Sequence, residues 1–131
     1  MDIANNKQLF KVSRFTSIRE ISIGSVIQFR YKDEDTDRVV LVLDPWRDGK
    51  MHCVKLDEVA VMDVRNMMED FSEYKGQKQG GAVRGVDTGR EVLETTHLYT
   101  KYKQSRYFST DHYRTFIVDN IKNIREITIK G

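Results

Sequence analysis

The sequence predicts an α+β domain that is mainly β and is built around a small β-barrel with one main helix. Three observations predict this fold. Residues 38–56 have the pattern of a β-hairpin, residues 58–74 carry apolar side chains at helical spacing, and residues 112–130 end with two further strand patterns. Apolar periodicity is the main signal that separates strands from helices in a single sequence.

The hairpin is the clearest local pattern in the chain. Residues 38–43 contain an apolar, mostly β-branched run, which is typical of a strand buried on both faces. Asp44-Pro45 is expected to end this strand, because proline has no N–H for a sheet ladder. Asp48-Gly49 predicts a tight turn, since glycine adopts positive φ without steric cost. Residues 51–56 form the return strand, after which the Asp57 carboxylate is expected to cap a helix.

Length and composition indicate a single soluble domain. The 131 residues fit one domain, which we divide into a barrel core at 18–57 and 112–130 and a helix and loop insertion at 58–111. No apolar run approaches the roughly 18 residues that span a bilayer, and the first residues lack a signal-peptide pattern, so we expect a cytoplasmic protein without a membrane partner. The single cysteine, Cys53, lies in a predicted strand and is expected to be a buried thiol in a reducing compartment.

Two further elements have clear patterns. Alternation at Ile27, Phe29 and Tyr31 predicts a strand, with a turn or bulge at Gly24-Ser25 before it. Residues 1–17 are weakly patterned and fit either a short strand or a helical turn. The helical stripe within 58–74 predicts a face packed on the sheet, or alternatively an exposed groove or dimer surface. Its members are Val61, Val64, Met67, Met68, Phe71 and Tyr74.

The sequence predicts no metal or cofactor site. The acidic loop at 32–37 has carboxylates at alternate positions, but an EF-hand needs glycine and glutamate where Arg38 and Asp44 stand. His52, His97 and His112 have no zinc-ligand spacing. We therefore expect a solvated hairpin loop and no bound cofactor.

Function is expected in the region that interrupts the barrel. Residues 75–90 hold five glycines in a basic stretch, which predicts a long loop whose backbone and cations suit phosphate, or alternatively a simple insertion. In residues 91–108 aromatic and basic side chains alternate, as in surfaces that stack bases and hold phosphates. The alternative is an amphipathic element whose tyrosines pack on the core. The predicted nucleic-acid-binding residues are Lys75, Lys78, Arg84, Arg90, Tyr99, Lys101, Tyr102, Lys103, Arg106 and Tyr107.

The closing segment carries a family resemblance. Residues 113–129, YRTFIVDNIKNIREITI, resemble the last strands of WYL-type domains, and Arg38 with the apolar strand after it is similar to that family's arginine-containing strand. The resemblance covers residues 24–57 and 112–129. The chain departs from the family in lacking the Trp-Tyr-Leu triplet, in the insertion at 58–108, and in having Asn120 where the family has arginine. The layout also resembles small tailed-phage proteins.

The resemblance implies an SH3-like, strongly bent β-barrel of five or six strands, and a non-enzymatic module that binds nucleic acid or regulates. Partners would be DNA or RNA. The alternative is a protein-interaction or phage virion component, located in the host cytoplasm or the virion, with Trp46 and Arg47 at the hairpin tip as the partner-binding residues. We predict no catalytic residues, because the candidate acid–base groups share no motif.

Overall fold

The computed structural model describes residue 3, residues 6–75 and residues 97–130. Within these residues the chain is mainly β, with two α-helices, so the predicted α+β class is confirmed. The elements are β1 (Phe10–Thr16), β2 (Val26–Tyr31), β3 (Arg38–Arg47), β4 (Lys50–Lys55), α1 (Val61–Asp70), α2 (His97–Lys103), β5 (Tyr113–Ile117) and β6 (Ile121–Ile129).

The six strands of the described residues form one antiparallel sheet in the order β1-β6-β2-β3-β4-β5. β1 settles the choice left open for residues 1–17, because Phe10 pairs with Ile129 and Thr16 with Ile124. It adds a strand outside the predicted core at 18–57. Both α-helices lie in the predicted insertion, between β4 and β5 in the chain.

The central hairpin forms at the predicted turn. Asp48 and Gly49 both have positive φ, of 52° and 79°, the pattern of the hairpin turn that follows sheet twist. The predicted strand end at Asp44-Pro45 is wrong, because β3 continues to Arg47. Register shifts on both sides of Asp44 mark bulges there, and a bulge accommodates a proline without loss of a required ladder bond.

Both faces of the central strands β2, β3 and β4 are buried, as the apolar run of β3 predicts. One face packs against the helices in a core that includes Leu41, Val54, Val64, Phe71 and Tyr102. The opposite face forms a second core, which contains Ile21, Ile27, Phe29, Tyr31, Val40, Val42, Met51, Cys53, Phe116 and Ile124.

The sheet is strongly curved around this second core. Phe29 and Tyr31 of β2 contact Phe116 of β5, with ring centroids 5.1 Å and 4.8 Å apart. β2 and β5 are three strand spacings apart in the sheet order, which would be about 14 Å in a flat sheet. The Ile117 N–H also donates to the Tyr31 hydroxyl (3.2 Å). A single short turn, Val118–Asn120, then joins β5 to β6.

Helix α1 confirms the predicted apolar face, since Val64, Met67 and Phe71 are buried against the sheet. The predicted cap is wrong. Ala60 precedes the helix without a side-chain cap, while Asp57 Oδ1 accepts a hydrogen bond from the Val39 N–H (3.0 Å). Asp57 therefore ties the end of the hairpin to the start of β3.

Candidate functional site

Helix α2 separates its side chains onto three faces. Leu98 and Tyr102, four residues apart, are buried in the core. Tyr99 and Lys103 occupy one flank, where the Lys103 ammonium lies 5.4 Å from the Tyr99 ring centroid. Lys101 lies on the other flank, because residues two apart on a helix do not share a face. The predicted cations of α2 therefore do not converge on one surface.

Tyr102 is the clearest correction to the predicted site. Its side chain is fully buried, and its hydroxyl donates to the Ser109 carbonyl (3.3 Å) and accepts from the Ser109 N–H (3.1 Å). A ring enclosed in this way offers no face for a base to stack on. Through these two hydrogen bonds Tyr102 instead holds the segment after α2 against the core.

Two predicted phosphate contacts are engaged by acidic side chains. Lys101 forms an ion pair with Glu73, and this hydrogen bond raises the pKa of the lysine. Its flank also lines a cleft of about 470 Å³ with Tyr74. The Lys75 ammonium lies 3.0 Å from a Glu126 carboxylate oxygen. Both lysines thus have local counter-charges.

The remaining residues of the predicted insertion site fall into two groups. Arg106 donates to the Tyr107 hydroxyl (3.0 Å), and its guanidinium lies 4.9 Å from the Tyr107 ring centroid. The carboxylates of Asp63 and Asp70 act electrostatically on Arg106, so its surroundings are partly acidic. The other predicted residues, Lys78, Arg84 and Arg90, lie outside the described residues.

Tyr99 instead lies next to aromatic side chains of the sheet, and together they form a surface that the sequence did not predict. Its ring lies 6.2 Å from that of Tyr113 on β5, and the Tyr113 ring lies 6.3 Å from the His52 ring on β4, nearly parallel at 17°. We call these three side chains, Tyr99, Tyr113 and His52, the aromatic row. Both tyrosines are partly exposed and pack against the first core.

His52 is held neutral inside this row. Its Nδ1 lies 2.8 Å from the Tyr113 hydroxyl and 3.3 Å from Thr115 Oγ1. Burial, with the charges of Lys50 and Arg47, lowers the pKa of His52 to about 4. Burial also raises the pKa of Tyr113, which therefore keeps its proton. The Tyr113 hydroxyl and Nδ1 of the neutral imidazole therefore share one hydrogen bond, whose direction depends on the tautomer of His52.

The far end of the row is basic. Lys50 is exposed, and Arg47 Nε lies 3.7 Å from Oδ2 of the buried Asp44. Burial raises the pKa of Asp44, while the Trp46 N–H donates to its Oδ1 (3.1 Å). Trp46 itself is 47% exposed at the end of the hairpin. We call Lys103, Lys50 and Arg47 the flanking cations.

Residues from two separately predicted sites, the insertion and the hairpin tip, thus lie along one surface. The residues between them were not predicted from the sequence. Lys103 and Tyr99 came from the insertion and Arg47 from the hairpin tip. His52, Tyr113 and Thr115 connect them, because β4 and β5 pair with His52 opposite Thr115. Those strands are about sixty residues apart in the chain, and no local pattern signals their pairing.

This arrangement suits the binding of a planar ligand. Partly exposed rings with cations on either side can hold a planar, anionic group. Cys53 is completely buried, as predicted, and its thiol donates to the Arg114 carbonyl (3.4 Å). Burial raises the pKa of this thiol, which disfavours the reactive thiolate.

Comparisons with protein-family models, with curated proteins and with solved structures find no match to this chain. The fold and site therefore define it by class, as a mainly β domain with a curved sheet, a helical insertion and an aromatic surface between cations. Neither described helix has the length and apolar character needed to cross a membrane. Residues 3, 6–75 and 97–130 contain no cluster of three metal-ligating side chains.

Proposed function

We propose that this chain is a non-enzymatic module that binds single-stranded nucleic acid along the aromatic row. The observation that carries the proposal is the row itself, with Lys103 at one end and Lys50 and Arg47 at the other. Bases expose their flat faces only when they are unpaired, so a half-buried ring favours a single strand over a duplex.

The two tyrosines provide the stacking surface. Stacking of one base on an aromatic side chain contributes about 1–3 kcal/mol. The ring of Tyr113 is kept in one orientation by its hydrogen bond to His52, and the neutral imidazole adds no charge of its own. Stacking alone reads no sequence, so we expect tolerant binding to DNA and RNA.

The flanking cations provide phosphate contacts. Three such contacts on a single strand predict a slope of about −2 in a plot of log affinity against log salt. Arg47 is the least exposed of the three, since 19% of its side chain is accessible and its Nε lies 3.7 Å from the Asp44 carboxylate, so its phosphate contact is expected to be weaker than those of the two lysines. Lys50 and Lys103 are exposed and free to adjust to the backbone.

We further propose that the curved sheet is an SH3-like barrel, and a WYL-like one, with the helices inserted between its third and fourth strands. Support comes from the order β6-β2-β3-β4-β5 and from the short turn that joins β5 to β6. The contacts of Tyr31 with Phe116 and with the Ile117 N–H agree with closure of this sheet.

The test is fluorescence anisotropy with labelled oligo-dT and oligo-U at several salt concentrations. The double variant Lys50→Ala/Lys103→Ala should bind about tenfold more weakly and with a shallower salt slope. Lys101→Ala is the matched control, since Lys101 is on the other flank of α2 and is paired with Glu73. Absence of binding at low salt, or an equal loss in the control, would refute the proposal.

A second candidate function, protein interaction in a cell or a phage virion, is favoured by exposed apolar side chains at the hairpin end. Trp46 is 47% exposed and Ile117 is 46% exposed, and tryptophan is enriched in interface hot spots. Light scattering separates the two functions. A monomer that binds oligonucleotides supports the first, and a stable oligomer that Trp46→Ala dissociates, without nucleic-acid affinity, supports the second.

A further inference from the structure

β1 is the terminal strand at the end of the sheet opposite to β5. Among the described residues it pairs with β6 alone. The Phe10 N–H donates to the Asn6 carbonyl (3.0 Å), and beyond that residue the backbone groups of the second edge have no described strand beside them. An edge of this kind accepts a further strand, and main-chain hydrogen bonds then supply much of the affinity.

Phe15 provides an apolar contact on this edge strand. Its side chain is 69% exposed, the highest value among the large hydrophobic residues that the structure describes. The Arg125 guanidinium lies 5.6 Å from the ring centroid, and Arg125 is fixed by Asp37 (2.8 Å). Arg30 binds the same Asp37 carboxylate at 3.0 Å. An ion-pair network therefore positions the cation beside Phe15.

The charge of the edge selects the partner. Residues 7–19 contain no acidic side chain, and all four of their basic side chains, Lys7, Lys11, Arg14 and Arg19, are exposed. If a second copy of this chain paired antiparallel with the edge, basic side chains would face basic side chains, which is destabilising. A strand with glutamate or aspartate at alternate positions would instead find opposite charges across the pair.

A bulge limits the length of such a partner. The register shifts between Val12 and Phe15, and the Ser13 hydroxyl accepts from the Glu126 N–H (2.9 Å) at that point. The regular part of the edge is therefore short and lies before the bulge, with Phe15 after it. Bulges hinder the growth of long, flat sheets, so a short peptide is the fitting occupant.

We propose that the outer edge of β1 binds a short, acidic, extended peptide as an additional strand, with an apolar side chain of the peptide against Phe15. This inference goes beyond the proposed nucleic-acid function and uses other residues. Nucleic acid would also be attracted by the basic side chains, but it cannot pair with the backbone edge.

The probe is a short fluorescent peptide of alternating glutamate and valine, with anisotropy as the measurement. Phe15→Ala should weaken binding about fivefold, and Lys11→Glu/Arg14→Glu about tenfold. Phe108→Ala and Lys50→Glu/Lys103→Glu are the matched controls, because they remove an exposed phenylalanine or two exposed lysines elsewhere. Both controls should bind like the wild type, and amide shifts in NMR should map to residues 10–16.

Two further peptides decide between outcomes. Replacing every valine with proline removes N–H donors while keeping the charge, and should reduce affinity about tenfold. A lysine–valine peptide should not bind. Equal binding of the proline peptide would overturn strand addition, and so would loss of binding in Lys50→Glu/Lys103→Glu. Displacement by oligo-dT with shifts at residues 10–16 would assign the edge to nucleic acid and would also overturn the proposal.

Discussion

At the scale of single residues, the buried polar groups at the basic end of the aromatic row are the unusual feature. Asp44 and His52 are register partners on β3 and β4, and both are buried. Burial raises the pKa of the acid and lowers the pKa of the base, so each group is shifted toward its neutral form. Each nevertheless makes a hydrogen bond, Asp44 Oδ1 with the Trp46 N–H and His52 with Tyr113. Asp44 Oδ2 has no hydrogen-bond partner among the described residues and lies 3.7 Å from Arg47 Nε.

The pKa of His52 predicts a loss of stability in mild acid. Its value of about 4 lies below the ordinary 6.5, so the unfolded chain binds the proton more tightly than the folded one. The contribution of neutral His52 to the free energy of unfolding is complete above pH 6.5 and is lost as the pH falls from there toward 4. Between about pH 7 and about pH 5 we expect the free energy of unfolding to drop by roughly 2 kcal/mol.

Urea unfolding at the two pH values measures this drop, and His52→Asn isolates it. Asp44 acts in the opposite sense, because its pKa is raised and protonation favours its folded form. The difference between wild type and His52→Asn is therefore the quantity to compare. Exposed His97 gives the matched control, His97→Asn. A pH dependence unchanged by His52→Asn would contradict the prediction.

At the scale of elements, two glycines with positive φ have different surroundings. Gly49 (φ +79°) closes the hairpin, and a Cβ added there meets nothing within 4 Å. Gly24 (φ +85°) precedes β2, and a Cβ there would come within 3.0 Å of the Lys75 backbone nitrogen. At both sites a residue other than glycine would have a strained backbone. Only at Gly24 would its Cβ also clash, because the chain before β2 lies against the end of the helical segment after α1.

Alanine substitution should therefore have unequal effects. Gly49→Ala should cost about 1–2 kcal/mol, the penalty of a left-handed backbone alone. Gly24→Ala should cost clearly more, because the chain at Tyr74 and Lys75 must also move. Urea unfolding of both variants gives the comparison. Equal losses would mean that Gly24 and the helical segment are not in close contact.

The same elements show where sequence reasoning succeeds. The turn at Asp48-Gly49 and the buried face of α1 depend on neighbours in the chain, and both were predicted correctly. Asp57 looked like a helix cap by its position. It bonds instead to the Val39 N–H, eighteen residues earlier. A local preference was overridden by a tertiary contact, and no pattern near Asp57 reports that contact.

At the scale of the whole molecule, the candidate site was predicted only in part for the same reason. Alternating tyrosines and lysines identified α2 as a surface with aromatic and basic side chains. The helical repeat then turned Tyr102 into the core and Lys101 to the other flank. The partners of Tyr99 came from β4 and β5, whose pairing brings His52 beside Tyr113. Composition thus indicated which side chains to consider, and strand pairing determined which of them lie together.

The curvature of the sheet makes a final prediction about Phe116. Its ring packs edge-on against Phe29 and Tyr31 across the second core and is 1% exposed. Phe116→Ala should lower the free energy of unfolding by about 3–5 kcal/mol, as expected for a buried phenylalanine. The next residue gives the control, since Ile117→Ala removes a side chain that is 46% exposed and should cost well under about 1 kcal/mol.

A double-mutant cycle with Phe29→Ala then tests the contact itself. If β2 and β5 meet across the core, the two substitutions should be coupled by about 0.5–1.5 kcal/mol, the range for an aromatic pair. Phe71→Ala, in the core on the opposite face of the sheet, should be additive with Phe116→Ala within about 0.5 kcal/mol. Additivity in the Phe29 cycle would mean that the sheet is not curved enough to join these strands.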